Sequence, residues 1–356
     1  MSTEIIHECI SADFGKLMPT VIFNIMLDYF SIRGKLIRTL TGHSTYITKL
    51  LLYSNYIISC SNGFNIGIWD SSTYECVRVI QTPFRIKSIL PHNNELICGT
   101  ESGSIRIFDI NTGDCLWFIA GYINDVDNLV LLENNQIAGN TCMALRIWDI
   151  DSRVCRSVFN GHTRYITGII ALPFNMIASS SLDSTIKIWD YRNTRDICNW
   201  SGHSSSITCI TKISNNCIAS GSLDKTIRLW HFSYISGIVL INSTIINSDS
   251  GIFNMIKSYD GRIIVSSIDG SIFVMDPYTC AKKNIVSSNN EKIIHMVQSG
   301  NQIVITSRNN GMQIYDIDTG ICQNSLYGHA GPVSSIIYMN NKIISGSFDN
   351  TIKIWE

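Results

Sequence analysis

The chain has 356 residues and a formal net charge of −1, with 45% hydrophobic and only 15% charged residues. This near-neutral balance argues against broad electrostatic attraction to nucleic acid or to an anionic membrane. No apolar run approaches the roughly eighteen residues of a membrane span, and the N-terminus lacks the pattern of a secretory signal. We therefore expect an intracellular protein, cytoplasmic or nuclear, that binds neither nucleic acid nor membrane.

The first distinctive segment is the apolar run LMPTVIFNIMLDYF at residues 17–30. Proline fits the first turn of a helix, and apolar residues follow it at the helical i, i+3, i+4 spacing. Gly34 is suited to end the helix. The residues that carry the pattern are Pro19, Ile22, Phe23, Met26, Leu27, Tyr29 and Phe30. The sequence predicts a short N-terminal helix within residues 1–34, and because both its faces are apolar we expect it to be buried.

The order of residues in this run resembles the first helix of an F-box. That motif binds the small adaptor of cullin-type ubiquitin ligases, so the resemblance implies an F-box-like remnant that binds this adaptor. A complete F-box has further helices, and the repeats that begin at Lys35 leave no room for them. The alternative is that the helix only covers one face of the following domain. Both interpretations stay open from the sequence.

From Lys35 to the end, the chain repeats with a period near forty residues. Eight strand-like runs each end in an aromatic or apolar residue followed by an acidic or polar one. These pairs are Trp69-Asp70, Phe108-Asp109, Trp148-Asp149, Trp189-Asp190, Trp230-His231, Met275-Asp276, Tyr315-Asp316 and Trp355-Glu356, and neighbours are 39 to 45 residues apart. Such a period, with four strands' worth of sequence per unit, is typical of β-propeller blades.

The two ends of the repeat region each have an incomplete unit. The last unit stops at Trp355-Glu356 without an outer strand, while Leu36–Leu40 precedes the first unit without a partner. One missing and one spare strand predict that Leu36–Leu40 closes the last blade, which would hide two sheet edges. We therefore predict an all-β fold, an eight-bladed β-propeller over residues 35–356 preceded by the short helix. Seven blades would require one weak repeat to be something else.

The repeats resemble the WD-repeat family, in which a His, a strand Ser or Thr, a turn Asp and the strand Trp form a buried hydrogen-bonded tetrad. Three units hold complete sets, which are His162, Ser179, Asp183 and Trp189; His203, Ser220, Asp224 and Trp230; and His329, Ser345, Asp349 and Trp355. The first unit keeps His43, Ser59 and Trp69 but has Gly63 where the Asp belongs. The resemblance implies a WD-repeat β-propeller over Lys35–Glu356. The bias toward Ile and Asn is similar to that of WD-repeat proteins from protists and large amoeba-infecting viruses.

His, Ser and Asp are also the residues of a hydrolytic triad. Here the set recurs in three units at a structural repeat position, which a single catalytic centre would not require. Buried polar groups need partners, and a tetrad supplies them. Phosphate-loop, dinucleotide-binding, zinc-protease and nucleophile-elbow motifs are missing from the sequence. We expect no enzyme, no catalytic residues and no cofactor.

The twelve cysteines suggest neither a disulfide framework nor a metal site. Cys76, Cys115, Cys155 and Cys322 each fall seven residues after the aromatic residue of their repeat, which is an outer-strand position. No C-x-x-C pair occurs, and His7 with Cys9 cannot complete a zinc site. We predict reduced structural thiols and no bound metal.

Propellers of the WD-repeat family usually bind peptides on one face, so the resemblance implies other proteins or peptides as partners. That face carries the loops before the first strand of each blade and the turns between the second and third strands. Candidate residues there are Tyr46, Arg85, Tyr165, Lys292, Arg308 and Phe348. Aromatic and cationic side chains of this kind suit a protein interface. We predict a non-enzymatic protein–protein interaction scaffold; the alternative is a substrate-receptor subunit of a cullin-type ubiquitin ligase, acting through the F-box-like helix.

Overall fold

The computed structural model describes most of the repeat region, namely residues 34–119, 124–235, 238–287, 292–307 and 311–356. Within these ranges every regular element is a β-strand. None of them contains a helix with the length and hydropathy that crossing a membrane requires. The predicted N-terminal helix and Arg308 lie outside the described residues.

The described residues form 32 strands, most of them four to eight residues long. In chain order they are β1 (Leu36–Leu40), β2 (Ile47–Tyr53), β3 (Tyr56–Ser61), β4 (Asn65–Asp70), β5 (Cys76–Gln81), β6 (Ile86–His92), β7 (Glu95–Thr100), β8 (Ile105–Asp109), β9 (Cys115–Ile119), β10 (Val126–Leu131), β11 (Gln136–Thr141), β12 (Ala144–Asp149), β13 (Val154–Phe159), β14 (Ile166–Leu172), β15 (Met176–Ser181), β16 (Ile186–Asp190), β17 (Arg195–Trp200), β18 (Ile207–Ser214), β19 (Cys217–Ser222), β20 (Thr226–Ile235), β21 (Ile238–Asn247), β22 (Ile252–Lys257), β23 (Ile263–Ser267), β24 (Ile272–Met275), β25 (Lys282–Val286), β26 (His295–Ser299), β27 (Gln302–Thr306), β28 (Met312–Asp316), β29 (Cys322–Leu326), β30 (Val333–Met339), β31 (Lys342–Ser347) and β32 (Ile352–Trp355).

The strands form eight antiparallel four-stranded sheets, the blades of the propeller. Blades 1 to 7 are each built from four consecutive strands, from β2–β5 in blade 1 to β26–β29 in blade 7. Blade 8 has the order β1-β32-β31-β30, so its outer strand comes from the beginning of the repeat region. The predictions of eight blades and of closure by Leu36–Leu40 are confirmed.

The closing blade lacks a continuous turn between its last two strands, and the two chain segments replace that turn by direct pairing. Leu36 lies opposite Trp355 and Leu40 opposite Ile352. The amides of Lys35 and Glu356 donate to each other's carbonyl oxygens at 2.8 and 2.9 Å. Gly34 has a φ of +80°, close to the +80° and +75° of Gly113 and Gly320, which complete the same turn in blades 2 and 7. Gly34 thus keeps the left-handed turn conformation although the turn itself is split.

The hydrophobic core lies between blades rather than within them. It consists of eight clusters, one for each pair of neighbouring blades. Ile57 and Trp69 of blade 1 pack with Ile344 of blade 8, for example, and the rings of Trp200 and Trp230 stack between blades 4 and 5 at 5.5 Å. Because both faces of each blade are buried in this way, the strands read as continuous apolar runs, and no blade has a core of its own.

Blade 5 explains the longest repeat, the 45 residues between Trp230 and Met275. Its third and fourth strands, β20 and β21, have ten residues each. Their pairing runs from Thr226 opposite Asn247 to Ile235 opposite Ile238. The extra residues therefore lengthen one hairpin and leave the ring unchanged.

Substitutions in β1 test how much the closing strand contributes to stability. Leu40 is only 3% exposed and packs between blades 8 and 1, whereas Leu36 on the same strand is 40% exposed. We expect Leu40→Ala to lower the free energy of unfolding by about 2–4 kcal/mol and the control Leu36→Ala to cost under about 1 kcal/mol. Guanidinium chloride unfolding measures both. Equal costs would mean that Leu40 does not anchor β1 in the core between blades 8 and 1.

Candidate functional site

The two faces of the ring carry different connections. The upper face has the loops from each outer strand to the next blade and the turns between second and third strands. The lower face has the turns between first and second and between third and fourth strands. This division follows from the antiparallel strand order of every blade. The upper face is the one on which the sequence places the candidate partner-binding residues.

Two of these residues are in contact across the interface between blades 8 and 1. The rings of Tyr46, before the first strand of blade 1, and Phe348, in a turn of blade 8, lie 4.5 Å apart at 31°. Tyr46 is half-buried, while Phe348 is 51% exposed. Offset aromatic pairs at this separation are attractive beyond their buried area. The pair forms a supported aromatic platform open to solvent.

The other candidate residues stand apart from this pair and have local partners. The Arg85 amide donates to Glu101 at 3.3 Å, and the Arg85 guanidinium lies 3.8 Å from the same carboxylate. Lys292 Nζ lies 3.8 Å from the centroid of the Phe253 ring. Tyr165 is 54% exposed, and the neighbouring Cys142 side chain raises the pKa of its hydroxyl. Within the described residues no hydrogen bond or ring contact joins these three to one another.

The upper face holds more exposed apolar side chains than the sequence indicated. Large hydrophobic residues that are more than a third exposed occur there at eight positions, namely Phe64, Phe84, Met143, Tyr165, Leu223, Ile268, Tyr327 and Phe348. The turns of the lower face have four such residues among those described, namely Phe174, Tyr259, Tyr278 and Ile321. Leu52 and Leu131 are also exposed, near the lower ends of β2 and β10. Phe64, Phe84, Met143 and Tyr327 were missed because their turns vary from blade to blade. The signal that could have identified these four exposed residues is an apolar residue inside a tight turn.

The cations of the upper face are partly matched by carboxylates. Arg85 lies beside Glu101, and Lys87 Nζ is 2.7 Å from Asp125. Recognition of a phosphate group needs several convergent, uncommitted donors. This arrangement therefore favours a mixed apolar and polar protein interface over a phosphate site.

The three complete tetrads share one geometry. In blade 4, His162 Nδ1 lies 2.8 Å from Asp183, and His162 Nε2 lies 2.8 Å from Ser179 Oγ. Trp189 Nε1 donates to the same Ser179 oxygen at 2.8 Å. The corresponding distances in blades 5 and 8 are 2.7–2.8 Å. Each tetrad ties the loop before the inner strand to the second and third strands of its blade.

The donors and acceptors of each tetrad run in one direction. An indole N–H can only donate, so Ser179 accepts a hydrogen bond from Trp189. We therefore assign the Ser179 hydroxyl as the donor to His162 Nε2 and the His162 Nδ1–H as the donor to Asp183. Asp183 raises the pKa of His162, but the larger effect of burial lowers it. The net decrease favours the neutral ring. Burial alone would raise the pKa of Asp183, but hydrogen bonds from Thr185, Thr163 and His162 together hold it below its usual value. A neutral histidine and an ionised aspartate fit this direction.

Blade 1 completes its network with a residue that the sequence did not single out. His43 Nε2 lies 2.7 Å from Ser59 Oγ, and Trp69 Nε1 donates to Ser59 at 2.8 Å. Asn65 Oδ1 takes the acceptor place of the missing Asp, 2.5 Å from His43 Nδ1. Asn65 lies two positions after Gly63, where the complete tetrads have a threonine, so an alignment centred on Gly63 overlooks it.

The remaining blades replace the polar network with apolar packing. At the position of the tetrad serine, blades 2, 3, 6 and 7 have Cys98, Gly139, Val265 and Ile305. Trp148 of blade 3 is buried, and its indole nitrogen has no acceptor in the described part of the chain. A Cβ on Gly139 would meet that indole ring at 2.9 Å. The ring therefore fills the place that the serine takes elsewhere.

The tetrads are closed to a substrate. Ser179, Ser220 and Ser345 have no exposed surface, and each serine oxygen already binds both a histidine and an indole. A nucleophilic serine needs an open position beside it and an adjacent site for the developing oxyanion. The geometry assigns the tetrads to the fold and not to chemistry.

Four stretches of the chain match the sequence model of the WD domain, G-beta repeat, at residues 34–70, 153–190, 195–231 and 320–356. Each stretch begins at the outer strand of one blade and ends in the third strand of the next. The four blades in which they end are 1, 4, 5 and 8, which are the blades with a His–Ser–Trp network. These four stretches of the propeller therefore match WD repeats. WD-repeat propellers are generally non-enzymatic scaffolds that bind other proteins.

Curated relatives share short segments with this propeller. WD repeat-containing protein 3 of Mus musculus is 27% identical over 24% of this chain and 9% of its own length. Protein tipD of Dictyostelium discoideum is 29% identical over 25% of this chain and 15% of its own length. The pre-mRNA-splicing factor cwf17 of Schizosaccharomyces pombe is 22% identical over 27% of this chain and 30% of its own length. The matches span less than a third of each of these relatives.

A solved structure matches the whole propeller. The crystal structure of the computationally designed Ika8 protein aligns with a TM-score of 0.77 and 23% identity. The alignment covers 90% of this chain and 99% of that one. At this identity the likeness concerns the fold alone.

Two buried indoles offer a matched test of the tetrad hydrogen bond. Trp148 and Trp189 are 1% and 2% exposed, but only Trp189 has an acceptor for its N–H. We expect Trp189→Phe to cost about 1 kcal/mol more than Trp148→Phe, since only Trp189→Phe breaks a buried hydrogen bond. Chemical denaturation of the two variants measures the difference. An equal or larger cost for Trp148→Phe would contradict this assignment.

The tetrad histidines predict how stability depends on pH. Burial lowers the pKa of His43, His162, His203 and His329 from 6.5 in the unfolded chain. Their stabilising contribution is then complete above pH 6.5 and is lost as the pH falls toward the folded-state values, because the unfolded chain takes up protons first. We expect the denaturation midpoint to decrease between about pH 7.5 and 5.5, and less steeply in His203→Asn. A constant midpoint would contradict the neutral-histidine assignment.

Proposed function

We propose that this propeller is a scaffold that binds partner proteins or peptides on its upper face. The observation that carries the proposal is the distribution of exposed large apolar side chains in the loops and turns, with eight on the upper face against four on the lower among the described residues. Partner-binding centres are rich in aromatic residues and arginine. Tyr46, Arg85, Tyr165, Lys292 and Phe348 supply that chemistry on the described part of this face.

The Tyr46–Phe348 platform is the proposed anchor of the interface. Its two rings already support each other, so binding would order few additional torsions, and the entropic cost of binding falls accordingly. Tyr165, which lies on blade 4, adds a second exposed aromatic with a polar end. Arg308, which lies outside the described residues, belongs to the same proposed face by its place in the repeat.

The alternative of a ubiquitin-ligase substrate receptor depends on residues 19–30. Those residues lie outside the described part of the chain, and neither the geometry nor the comparisons favour this role. It stays an untested alternative, and cullin or adaptor peptides in a purification of the full chain would support it.

Alanine substitutions on the two faces test the proposal. The full-length tagged protein is used to purify partners from cell extract, and mass spectrometry identifies them. We expect Tyr165→Ala and Phe348→Ala to weaken the main partner by about 2 kcal/mol each, or roughly thirtyfold in affinity, as for central anchors. The control Phe174→Ala removes a 60% exposed aromatic from the lower face and should have no effect.

Melting temperatures separate binding from folding in this experiment. All three variants should melt close to the parent, because each residue is exposed. Partners retained by both upper-face variants and lost by Phe174→Ala would move the site to the lower face and overturn the proposal.

A further inference from the structure

The outer strands of four successive blades expose apolar side chains on the rim of the ring. We call these residues of β1, β5, β9 and β13, in blades 8, 1, 2 and 3, the side belt. They are Leu36, Ile37, Val77, Val79, Leu116, Phe118, Val154 and Val158, each 39–55% exposed. The outer strands of blades 4, 6 and 7, which are β17, β25 and β29, contribute no exposed large apolar residue in the described part of the chain. The rim is therefore apolar on one side and polar on most of the other.

Arginine side chains connect the strands of the side belt. Arg38 on β1 donates to the carbonyl oxygen of Thr73 in the turn before β5. Arg78 on β5 donates in the same way to Thr112, at 2.6 Å, in the turn before β9. Because these two arginines each reach the next blade, they connect the exposed apolar strips on β1, β5 and β9.

These arginines leave positive charge on the side belt. Arg38 and Arg78 bind carbonyl oxygens, and the Arg106 guanidinium lies 5.2 Å from the Phe118 ring centroid. In the described part of the chain none of the three is paired with a carboxylate. Exposed Glu75 and Asp114 precede β5 and β9 at the lower end of the strands. A complementary surface would combine apolar side chains with carboxylates.

Residues 1–33 of this chain have that composition. They include the apolar run at 17–30 and four carboxylates against two cationic side chains. Gly34 continues directly into β1, the first strand of the side belt. Five residues separate Phe30 from Leu36, a reach of up to about 20 Å. A tethered segment also meets the surface at a far higher effective concentration than a free partner.

We propose that residues 17–30 of the same chain cover the side belt, beginning at β1 and β5, with the carboxylates of residues 1–28 beside Arg38 and Arg78. The side belt is separate from the upper face, so this inference does not rest on the proposed partner site. Contact with the tethered segment buries apolar surface on both sides, which is the main source of stability for such an association. The side belt would then be an intramolecular contact surface.

Proteolysis of the full chain tests whether the segment is held. Trypsin can cleave after Lys16, and the cleavage rate follows the population in which the segment is released. Val77→Glu places a carboxylate on the apolar belt and should increase this rate by about tenfold. The control Ile245→Glu changes a residue of the same kind and exposure, 51% against 50%, on the outer strand of blade 5. It should leave the rate unchanged.

The variants are compared at equal folded fraction, checked by their melting temperatures. Faster cleavage in Val77→Glu alone supports the proposal. Equal rates in parent and Val77→Glu, or equal acceleration in Ile245→Glu, overturn it.

A photo-crosslinking side chain in place of Phe23 gives a second, independent readout. In the full chain, adducts mapped by mass spectrometry should fall on β1, β5 and β9 of the same molecule. Adducts mainly on other blades, on a second copy or on another protein would overturn the intramolecular contact, and so would the lack of any adduct. An adduct on another protein would identify the belt's actual occupant.

Discussion

The pairing of β1 with β32 is the constraint on which the rest of the structure depends. The core consists of interfaces between neighbouring blades, so every blade needs two neighbours to bury its two faces. A gap between two blades would expose two apolar faces, and separation of β1 from β32 would also expose two sheet edges. Closure by one short strand therefore protects the whole ring, and Leu40 at 3% exposure shows that the strand also takes part in the core.

Two ways of stabilising a blade coexist in one ring. Blades 1, 4, 5 and 8 use a buried polar network, while blades 2, 3, 6 and 7 have small or apolar residues at the serine position. Both arrangements fill the same space, as the indole of Trp148 against Gly139 illustrates. The ring therefore requires tight packing at this place, and the tetrad is one chemical solution among several.

The periodic features of this fold could be predicted from the sequence because each is repeated. The number of blades and the closing strand follow from a pattern that recurs eight times, and the tetrad positions follow from the resemblance to the WD-repeat family. Asn65 could not be predicted in the same way, since it satisfies His43 from a different position in the turn. The exposure of Phe64 and Tyr327 was also hidden, because exposure depends on how each irregular loop bends.

The candidate site likewise has features that the sequence predicts and features that it does not. The face could be predicted from the resemblance, since the repeat brings equivalent loops to one end of the ring. The contact between Tyr46 and Phe348 could not, because these residues are 302 positions apart and meet only through closure. The match of Arg85 with Glu101 likewise depends on side-chain geometry that spacing does not encode.

The split turn at Gly34 and Glu356 also gives the ring a mechanical weak point. These residues are adjacent, and β1 and β32 run antiparallel away from them, so tension that separates them loads the Lys35–Glu356 pair first. The hydrogen bonds of the seam would then break one after another, starting at Leu36 and ending at Leu40. In blades 1 to 7 the four strands are consecutive in the chain, so none of them has a split turn at which its pairing could open in this way. Under tension the propeller is therefore expected to open at this junction.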